Sequence, residues 1–526
     1  MTNRISFYQW SWIFAFASFV LRLPGFLVDL PPYDFVDEAM YTNGVYAVAL
    51  TDWGWAPYNY LAGGINYYIP PLIIIAAQKL FHSAFDMQQI VLWSRIIGPG
   101  VLSCLAIPLT FSIAKRLFQD DKIALLAAGV LAFSPLMLSV SRIWYPDHYA
   151  VIFSALSLYA AVRIATEQHP LKRDYILLGI AVGLSASTKY NGLFFAALIP
   201  IAHAFTVLKV EGLKQRLQKF FFSAGPWLAG LAMVTAFLVT NPYLLRAFPR
   251  FVPHYIDAIQ RTREVYLAGS AGLMVENTPI FYSTLLIFTT FGILGGIFIC
   301  TGAIQVIRRN SKAAALLLIM PIIFLGLMSE YKNAFDRNIS VLVPYFSLLF
   351  SAGFIVLRKY LHPRLLTAAL IIICAEPAGR IALNTYHDFQ PDSRQLAATW
   401  MDQNIPAHSV IGLGRGVYNK SLGVPLNEKK FTLVELSFPP DSDAPQKQCI
   451  NYYFIDQWLY QMYGKGKSVF VSPYYGENIF RNTGGHFFKN EHQNIVRWLA
   501  QFKEIHRIKG NYYGPAVYIY QRKIPC

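Results

Sequence analysis

Three acidic residues, Asp34, Asp37 and Glu38, fall within five positions near the start of the chain. A carboxylate at such a place can accept the proton of a hydroxyl nucleophile as a general base. The same residues also suit a helix start, because Asp34 could cap the helix and the helix dipole favours acids in the first turn. The cluster therefore indicates either a catalytic carboxylate or a capped helix.

A fourth acid, Asp147, stands between Pro146 and His148. Pro146 interrupts the preceding apolar run, so Asp147 is predicted at a helix end, where it could be a functional acid or an N-cap. His148 could bind a metal or transfer a proton, but a lone histidine beside an apolar run more often has a structural purpose. Both residues are candidates for the same site.

Two cations could complete such a site. Lys189 separates two apolar runs and precedes Tyr190, and Arg337 lies in a short polar segment between two later runs. Long basic side chains beside apolar runs often extend to a membrane surface, which would explain both residues without a function. Lysine and arginine also bind phosphate through charge-assisted hydrogen bonds. The pair therefore indicates either surface anchors or a phosphate site.

The composition predicts the elements that would position these residues. Apolar residues make up 55% of the 526 positions and charged residues 14%, whereas soluble proteins average about 25% charged residues. Five segments without a charged residue approach or exceed the ~20 residues that a bilayer crossing needs. They are residues 96–114, 123–141, 190–208, 220–245 and 277–307. The chain is therefore predicted to be an α-helical polytopic membrane protein.

The charges in the loops predict its orientation. The net charge of +16 is concentrated in short loops, which indicates membrane orientation rather than nucleic-acid binding. The apolar segment 69–77 contains Pro70 and Pro71 and is predicted to lie at the membrane interface without crossing. Five loops rich in cations then lie on the same side as the N-terminus. The positive-inside rule places that side in the cytoplasm. About 11 crossings result, at residues 7–28, 96–114, 123–141, 148–162, 175–188, 190–208, 220–241, 279–306, 313–329, 339–357 and 364–381.

From about residue 384 the apolar runs become shorter and mix with polar residues. Helices are predicted at residues 393–403 and 492–502 and strands at 409–413, 468–472 and 516–521, which gives a small α/β domain outside the membrane. Cys449 and Cys526 in this part either form a disulfide or stay unpaired. The predicted domains are a transmembrane domain, residues 1–383, and an extracytoplasmic domain, residues 384–526.

Soluble nucleotide chemistry lacks its motifs. Gly466-Lys467-Ser468 matches the end of a P-loop, but Gln461 stands where the first glycine is required. The sequence also has no paired-cysteine motif and no His-Glu-x-x-His motif. These features argue against soluble nucleotide chemistry.

In their order along the chain, the candidate residues resemble those of the GT-C fold glycosyltransferases that use a lipid-phosphate sugar. This group includes protein O-mannosyltransferase-like enzymes and lipid A aminoarabinose transferases. The resemblance covers most of residues 1–380 and rests on five features: Asp37-Glu38, Pro70-Pro71, Asp147, Thr188-Lys189-Tyr190, and Arg337 before Pro344. Asn338 departs from the aromatic residue that often follows this arginine, and the Trp-Trp-Asp motif of oligosaccharyltransferases is missing.

The resemblance implies an enzyme that moves a single sugar from a polyprenyl-phosphate donor to an extracytoplasmic acceptor hydroxyl with inversion. Asp37 would be the general base, Lys189 and Arg337 would stabilise the leaving phosphate, and Asp147 would orient the acceptor or a divalent metal ion. The implied partners are the donor lipid, membrane lipid and a glycan, lipid or protein acceptor at the plasma membrane. The implied site has two catalytic and five substrate-binding residues, namely Asp37 and Asp147, and Glu38, His148, Lys189, Tyr190 and Arg337.

Two other functions fit parts of the sequence. A non-enzymatic lipid-glycan transporter or flippase would also place cations near a headgroup, but it predicts internal repeats, and the sequence contains no detectable repeat. An assembly protein would use the outer domain to bind a partner. Asp37 would be replaceable in an assembly protein, whereas a glycosyltransferase would require it.

Overall fold

The computed structural model describes most of the helical part of the chain and the centre of a C-terminal sheet. The described residues are 5–27, 38, 64–82, 85–141, 143–242, 244, 248–249, 252–253, 256, 273–274, 282–283, 287–330, 333–334, 336–360, 362–391, 393–414, 424–436, 449–456, 496–509 and 516–524. Asp34, Asp37, Cys526 and the strand predicted at 468–472 lie outside them.

Helices dominate the described residues up to Asp388. They are α1 (Phe7–Phe26), α2 (Ile65–Phe81), α3 (Met87–Arg95), α4 (Ala106–Phe118), α5 (Asp121–Ala132), α6 (Pro135–Val140), α7 (Pro146–Thr166), α8 (Lys172–Thr188), α9 (Leu198–Val207), α10 (Leu213–Phe222), α11 (Ala224–Val239), α12 (Ile287–Arg309), α13 (Ser311–Met328), α14 (Val343–Tyr360) and α15 (Pro363–Asp388). A π-helix (Ile96–Leu102) follows α3, and 3-10 helices (Tyr190–Ala197 and Asp336–Leu342) precede α9 and α14.

Eight helical stretches among the described residues are long and apolar enough to cross a membrane. They are Gln88–Phe118, Pro146–Thr166, Tyr190–Val207, Leu213–Val239, Thr290–Arg309, Ser311–Met328, Arg337–Tyr360 and Pro363–Asn404. The remaining predicted crossings coincide with α1, with α5 and α6, and with α8. The chain is a multi-pass membrane protein, and the number of 11 crossings stays a prediction.

The bundle has two ends, which α7 connects. Near the first residue of α7, Asp147 accepts a hydrogen bond from Lys189, and this is named the Asp147 end. Directly after the last residue of α7, Glu167 accepts a hydrogen bond from Arg116, and this is named the Glu167 end. The sequence prediction places the Asp147 end outside the cytoplasm and the Glu167 end inside.

Helix α8 is held close to α11 by two glycines spaced four residues apart. A Cβ atom at Gly179 would overlap the carbonyl oxygen of Ala229, and one at Gly183 would overlap that of Met233. Small residues at this spacing allow membrane helices to approach closely. The contact fixes the position of α8, whose last residue, Thr188, directly precedes Lys189.

The C-terminal part forms a five-stranded mixed sheet. Its strands are β3 (Val410–Gly414), β4 (Thr432–Leu436), β5 (Tyr452–Asp456), β6 (Phe502–Ile508) and β7 (Val517–Arg522). Helix α16 (Ser393–Asn404) precedes them in the chain. A separate two-stranded sheet, β1 (Leu273–Met274) with β2 (Asn333–Ala334), lies earlier in the chain. The order is β4-β3-β5-β7-β6, with parallel pairs on both sides of β3 and antiparallel pairs on both sides of β7.

The predicted small α/β domain is confirmed. Tyr453, Trp498 and Phe502 form part of its buried core. The helix predicted at 393–403 and the strands predicted at 409–413 and 516–521 correspond to α16, β3 and β7, whereas β4, β5 and β6 were not predicted as strands. Helix α15 continues past the predicted domain boundary at 383 to Asp388, and the division into two domains stays a prediction.

Candidate functional site

Three segments distant in sequence meet in a charged cluster at the Asp147 end. Asp147 lies in the first turn of α7, which Pro146 starts, because a proline is tolerated at the first helical position. Lys189 is an extended residue between α8 and the following 3-10 helix. Its Nζ donates hydrogen bonds to Asp147 Oδ1 at 2.9 Å and to Asn338 Oδ1 at 2.8 Å. The site is therefore built from residues that the fold, and not the sequence, brings together.

Arg337 is the second cation of this cluster. Its Nε lies 3.9 Å from Asp147 Oδ2, and its guanidinium lies 4.3 Å from the centre of the Tyr145 ring. Contact with the face of a tyrosine ring stabilises a cation and limits its orientations. Asn338 also donates to Tyr282 Oη at 3.0 Å, so the residue after the arginine links Lys189 to a further segment.

The carboxylate and the cations differ in their access to ligands. The side chain of Asp147 is 4% exposed, whereas that of Lys189 is 28% and that of Arg337 19% exposed. Among the described residues, the two cations and the one carboxylate of this cluster carry a net charge of +1. A buried carboxylate thus holds two partly accessible cations together, and their combined charge favours an anionic ligand.

A second ion pair lies beside the cluster and is completely buried. Glu38 accepts hydrogen bonds from Arg95 Nε at 2.8 Å and Nη2 at 2.6 Å. Glu38 also accepts one from the Trp144 backbone amide at 2.7 Å. Arg95 further donates to the Phe26 carbonyl oxygen at 3.0 Å. The pair ties the chain after α1 to the end of α3 and to the segment that leads to Asp147.

Asparagine side chains fix the start of α2 against the end of α8. Asn241 accepts a hydrogen bond from the Gly64 amide at 2.7 Å and donates one to Ser187 Oγ at 2.8 Å. Asn66 donates to the Thr188 carbonyl oxygen at 2.7 Å. Both contacts fall on the residues directly before Lys189, so they orient the backbone that carries this lysine.

The structure unites some of the predicted site residues and leaves others apart. Lys189, Arg337 and Asp147 meet, and Tyr190 begins the 3-10 helix next to Lys189. His148 is buried, and its Nε2 lies 2.8 Å from the Ile143 carbonyl oxygen. Its substrate-binding role stays a prediction, as do those of Tyr190 and Glu38.

Asp37, the predicted base, lies outside the described residues. Its neighbour Glu38 is the described residue closest to it in sequence, and the contacts of Glu38 with Arg95 and Trp144 are those of an anchor. The role of Asp37 therefore stays a prediction.

Sequence reasoning did not assign a role to Arg95, Asn66, Asn241 or Tyr282. Arg95 has one detectable signal, because it is the one arginine in the predicted outer loop of residues 29–95, on the side where the charge rule disfavours cations. The asparagines and the tyrosine had none, since their partners lie far away in sequence.

A metal site is not evident in the part of the chain that the structure describes. No three or more His, Cys, Asp or Glu side chains there are grouped so that they could hold an ion. One oxygen of Asp147 accepts from Lys189 and the other faces Arg337.

Comparisons with known proteins match this fold. The family described as dolichyl-phosphate-mannose-protein mannosyltransferase matches residues 70–244. The chain is similar to the Archaeoglobus fulgidus oligosaccharyltransferase in its apo form, at 14% identity and a TM-score of 0.56, over 86% of this chain and 70% of that one. It is also similar to ArnT from Cupriavidus metallidurans in the apo state, at 15% identity and a TM-score of 0.50, over 97% of each chain. The comparison with curated protein sequences gives no match.

At these levels of identity the similarity establishes a shared fold. The two solved structures have the GT-C fold, and the alignment with ArnT extends over almost the whole of both chains. The predicted GT-C fold is therefore confirmed, including its C-terminal sheet domain. The fold alone does not determine the reaction, which depends on the residues of the site.

Proposed function

We propose that the chain is a membrane glycosyltransferase that moves a single sugar from a polyprenyl-phosphate donor to an extracytoplasmic acceptor hydroxyl, with inversion at the anomeric carbon. The observation that carries the proposal is the pair of partly exposed cations, Lys189 and Arg337, held by the buried carboxylate of Asp147. The GT-C fold and the family match over residues 70–244 support the same class of reaction.

The two cations suit the phosphate of the donor. A polyprenyl phosphate leaves as a stable anion and needs no protonating acid, so the site must bind and stabilise negative charge. Lys189 offers a point charge and Arg337 a planar guanidinium, and together they can bind several phosphate oxygens. Preorganised charges stabilise the charge that develops on the leaving group in the transition state. Asp147 keeps the two cations in place before the donor binds.

The remaining chemical requirement is one base for the acceptor hydroxyl. We assign it to Asp37, which would accept the proton while the acceptor oxygen attacks the anomeric carbon from the face opposite the phosphate. A buried hydrogen bond supports this assignment. Glu38, the residue after Asp37, accepts it from the backbone amide of Trp144, which is three positions before Asp147 in the chain. A single displacement of this kind inverts the anomeric configuration.

The sidedness of the site is also part of the proposal. We place the Asp147 end and the sheet domain outside the cytoplasm of a cell bounded by its plasma membrane, with the N-terminus inside. Cys449 is disulfide-bonded, which suits an oxidising compartment. Cys104, Cys300 and Cys374 are free. The loop with Arg308 would then be cytoplasmic, in agreement with the positive-inside rule.

Labelling with an impermeant thiol reagent tests the sidedness. The three free cysteines are replaced by serine, the disulfide is kept, and one new cysteine is introduced at a time. Lys503→Cys in β6 should react in intact cells, whereas Arg308→Cys should react only after the membrane is opened. The reverse pattern would contradict the orientation.

Mass spectrometry of cell-envelope glycans tests the reaction. A deletion strain should lack one sugar residue from one class of acceptor, and the wild-type chain should restore that residue while Asp37→Asn should not. A flippase would instead move labelled donor across vesicles that contain no acceptor. Donor translocation without covalent transfer would refute the proposed enzyme in favour of that alternative.

A further inference from the structure

Helix α10 at the Glu167 end has an apolar stripe that the protein does not cover. Leu213, Leu217 and Phe221 are spaced four residues apart, so they share one side of the helix, and their exposed fractions are 74%, 51% and 57%. The helix also carries three cations, and none of its ten residues is buried. An exposed apolar stripe beside basic residues is typical of a helix that lies in a membrane interface. These three residues are named the α10 stripe.

The other side of α10 is attached to the bundle. Phe220 packs against the ring of His203, with 5.7 Å between the ring centres. His203 is buried in α9, and Tyr175 Oη lies 2.7 Å from its Nδ1. Arg216 Nε donates to the Val210 carbonyl oxygen at 2.7 Å. The helix therefore has a fixed orientation, and the stripe faces away from the protein.

The apolar stretch Leu213–Val239 consists of two helices, α10 and α11, which Ser223 separates. Ser223 has an extended conformation, with φ −77° and ψ 143°, between two helical segments. An extended residue at this point changes the direction of the chain, so α10 need not follow the axis of α11. This break allows α10 to lie along the membrane surface.

Two lysines beside α10, Lys209 and Lys312, and one within it, Lys219, contribute positive charge at the Glu167 end. Lys209 Nζ donates to the Glu167 carbonyl oxygen at 2.6 Å, and Lys219 Nζ to the Thr206 carbonyl oxygen at 3.1 Å. Lys312 is half-buried in the first turn of α13, which contains no acid. Among the described residues, none of these lysines forms an ion pair. Lys209, Lys219 and Lys312 are named the lysine cluster.

Lys219 and Lys312 lie close enough to Lys209 for their charges to act on it. Burial lowers the pKa of Lys209, and the charges of Lys312 and Lys219 lower that pKa further, while Glu167 acts in the opposite direction. The first turn of α13 adds the positive end of a helix dipole, which disfavours Lys312 and favours an anion. Among the described residues these lysines have Glu167 as a nearby acid but no ion-pair partner, so this place keeps an excess of positive charge.

We infer that the lysine cluster binds the phosphate headgroup of an anionic phospholipid while the α10 stripe lies among its acyl chains. The bilayer surface supplies both components in the required arrangement, with anionic oxygens directly next to hydrocarbon. Carbonyl oxygens already bind two of the ammonium groups, so these groups are held in position before the lipid arrives. The inference concerns the Glu167 end and does not depend on the proposed transfer reaction.

Native mass spectrometry of the full chain tests the inference. The protein is reconstituted in vesicles of phosphatidylcholine with a minor fraction of phosphatidylglycerol, extracted, and analysed for retained phosphatidylglycerol. The triple variant Lys209→Gln/Lys219→Gln/Lys312→Gln should retain less of this lipid, with binding weakened about fivefold for each lysine removed. The charge-preserving variant Lys209→Arg/Lys219→Arg/Lys312→Arg should retain it and shows whether the positions tolerate substitution.

A matched control separates a site from general attraction. Lys172→Gln/Arg173→Gln/Lys359→Gln removes the same charge from exposed residues at the Glu167 end and should leave lipid retention unchanged. Equal loss in the control, or full retention in the glutamine variant of the cluster, would overturn the inference. A dimer mass that disappears in Leu213→Gln/Leu217→Gln/Phe221→Gln, with lipid retention unaffected, would assign the stripe to a second copy of the chain and also overturn it.

Discussion

The two ends of the bundle compensate their charges in different ways. At the Asp147 end, the side chains of Glu38 and Arg95 are 0% and 1% exposed, and Asp147 is buried as well. At the Glu167 end, Arg358 pairs with Asp120 although these side chains are 48% and 31% exposed. Lys115 and Asp121 form a similar pair, 42% and 43% exposed. The Glu38–Arg95 pair is thus excluded from solvent, whereas these two pairs at the Glu167 end are not, although Asp174 there is buried in its pair with Arg163.

This difference indicates where function resides. A partly exposed ion pair contributes about 0 to 1 kcal/mol, so its loss is tolerated. A buried pair has a large desolvation penalty, and apolar residues of similar size are often as stable or more stable. Buried ionisable groups in a membrane protein therefore indicate a functional site. The Asp147 end combines several such groups, whereas the Arg358–Asp120 and Lys115–Asp121 pairs at the Glu167 end are exposed.

The largest effect is expected for Asp37→Asn. The amide keeps the size of the side chain but cannot take a proton, and loss of a general base typically lowers the rate about 100-fold to 10,000-fold. Donor binding and thermal stability should change little. Transfer activity and the melting temperature of the purified protein are measured together.

Asp34→Asn is the neighbouring control for this prediction. If Asp37 were only a helix cap, asparagine would replace it with little loss, because asparagine caps helices about as well as aspartate. Near-normal transfer by the Asp37 variant would therefore refute the catalytic assignment.

The next effect is on stability at the buried pair. Arg95→Ala should leave Glu38 charged and buried without its guanidinium partner, which destabilises a protein by about 3 to 5 kcal/mol. Thermal unfolding in detergent can measure the change. The double variant Glu38→Gln/Arg95→Met should recover much of the loss because it removes both charges. A double variant as unstable as Arg95→Ala would show that the pair contributes through packing and not through charge.

The smallest effect is expected at the exposed pair. Arg358→Ala should change the free energy of unfolding by less than about 1 kcal/mol at neutral pH. The pKa of Asp120 is lowered, since hydrogen bonds from Arg358 and from the Lys122 and Ile123 amides outweigh the opposing effect of burial. The pair therefore stabilises the folded protein at pH values above the ordinary pKa of an aspartate. This stabilisation is lost as the pH falls through the lowered pKa of Asp120.

Unfolding of Arg358→Ala and wild type at neutral and acid pH checks this prediction. The small difference between them should disappear in acid. A loss at neutral pH as large as that of Arg95→Ala would remove the contrast between the two ends.

Much of the helical fold can be predicted from the sequence, because apolar runs without charged residues mark the positions of the membrane helices. The runs at 123–141 and 190–208 correspond to helical residues, and the segment around Pro70 and Pro71 is helix α2. The strands β4 and β5 were missed, since short apolar runs give the same local signal in strands, loops and buried helices. Their pairing with β3 depends on contacts that no local pattern contains.

The sequence predicts which charged residues belong to the candidate site, but it does not predict which of them form pairs. Asp147, Lys189 and Arg337 are predictable as candidates because each is a charged residue between two apolar runs, and such residues need partners in a membrane. The role of Asn338 had no sequence signal, because its contact with Lys189 joins residues 149 positions apart. The pairing of Glu38 with Arg95 was hidden for the same reason.

We propose that the cations at the Asp147 end bind the phosphate of the donor lipid, and the affinity of the purified full chain for undecaprenyl phosphate is the measurement for this proposal. Loss of a hydrogen bond between charged groups weakens binding by about 1.5 to 3 kcal/mol. Lys189→Ala should therefore raise the Kd about 10-fold to 100-fold, whereas Arg358→Ala, which removes a cation from the other end, should leave it unchanged. An unchanged Kd for Lys189→Ala, or an equal rise for Arg358→Ala, would show that Lys189 does not bind the donor phosphate at this site.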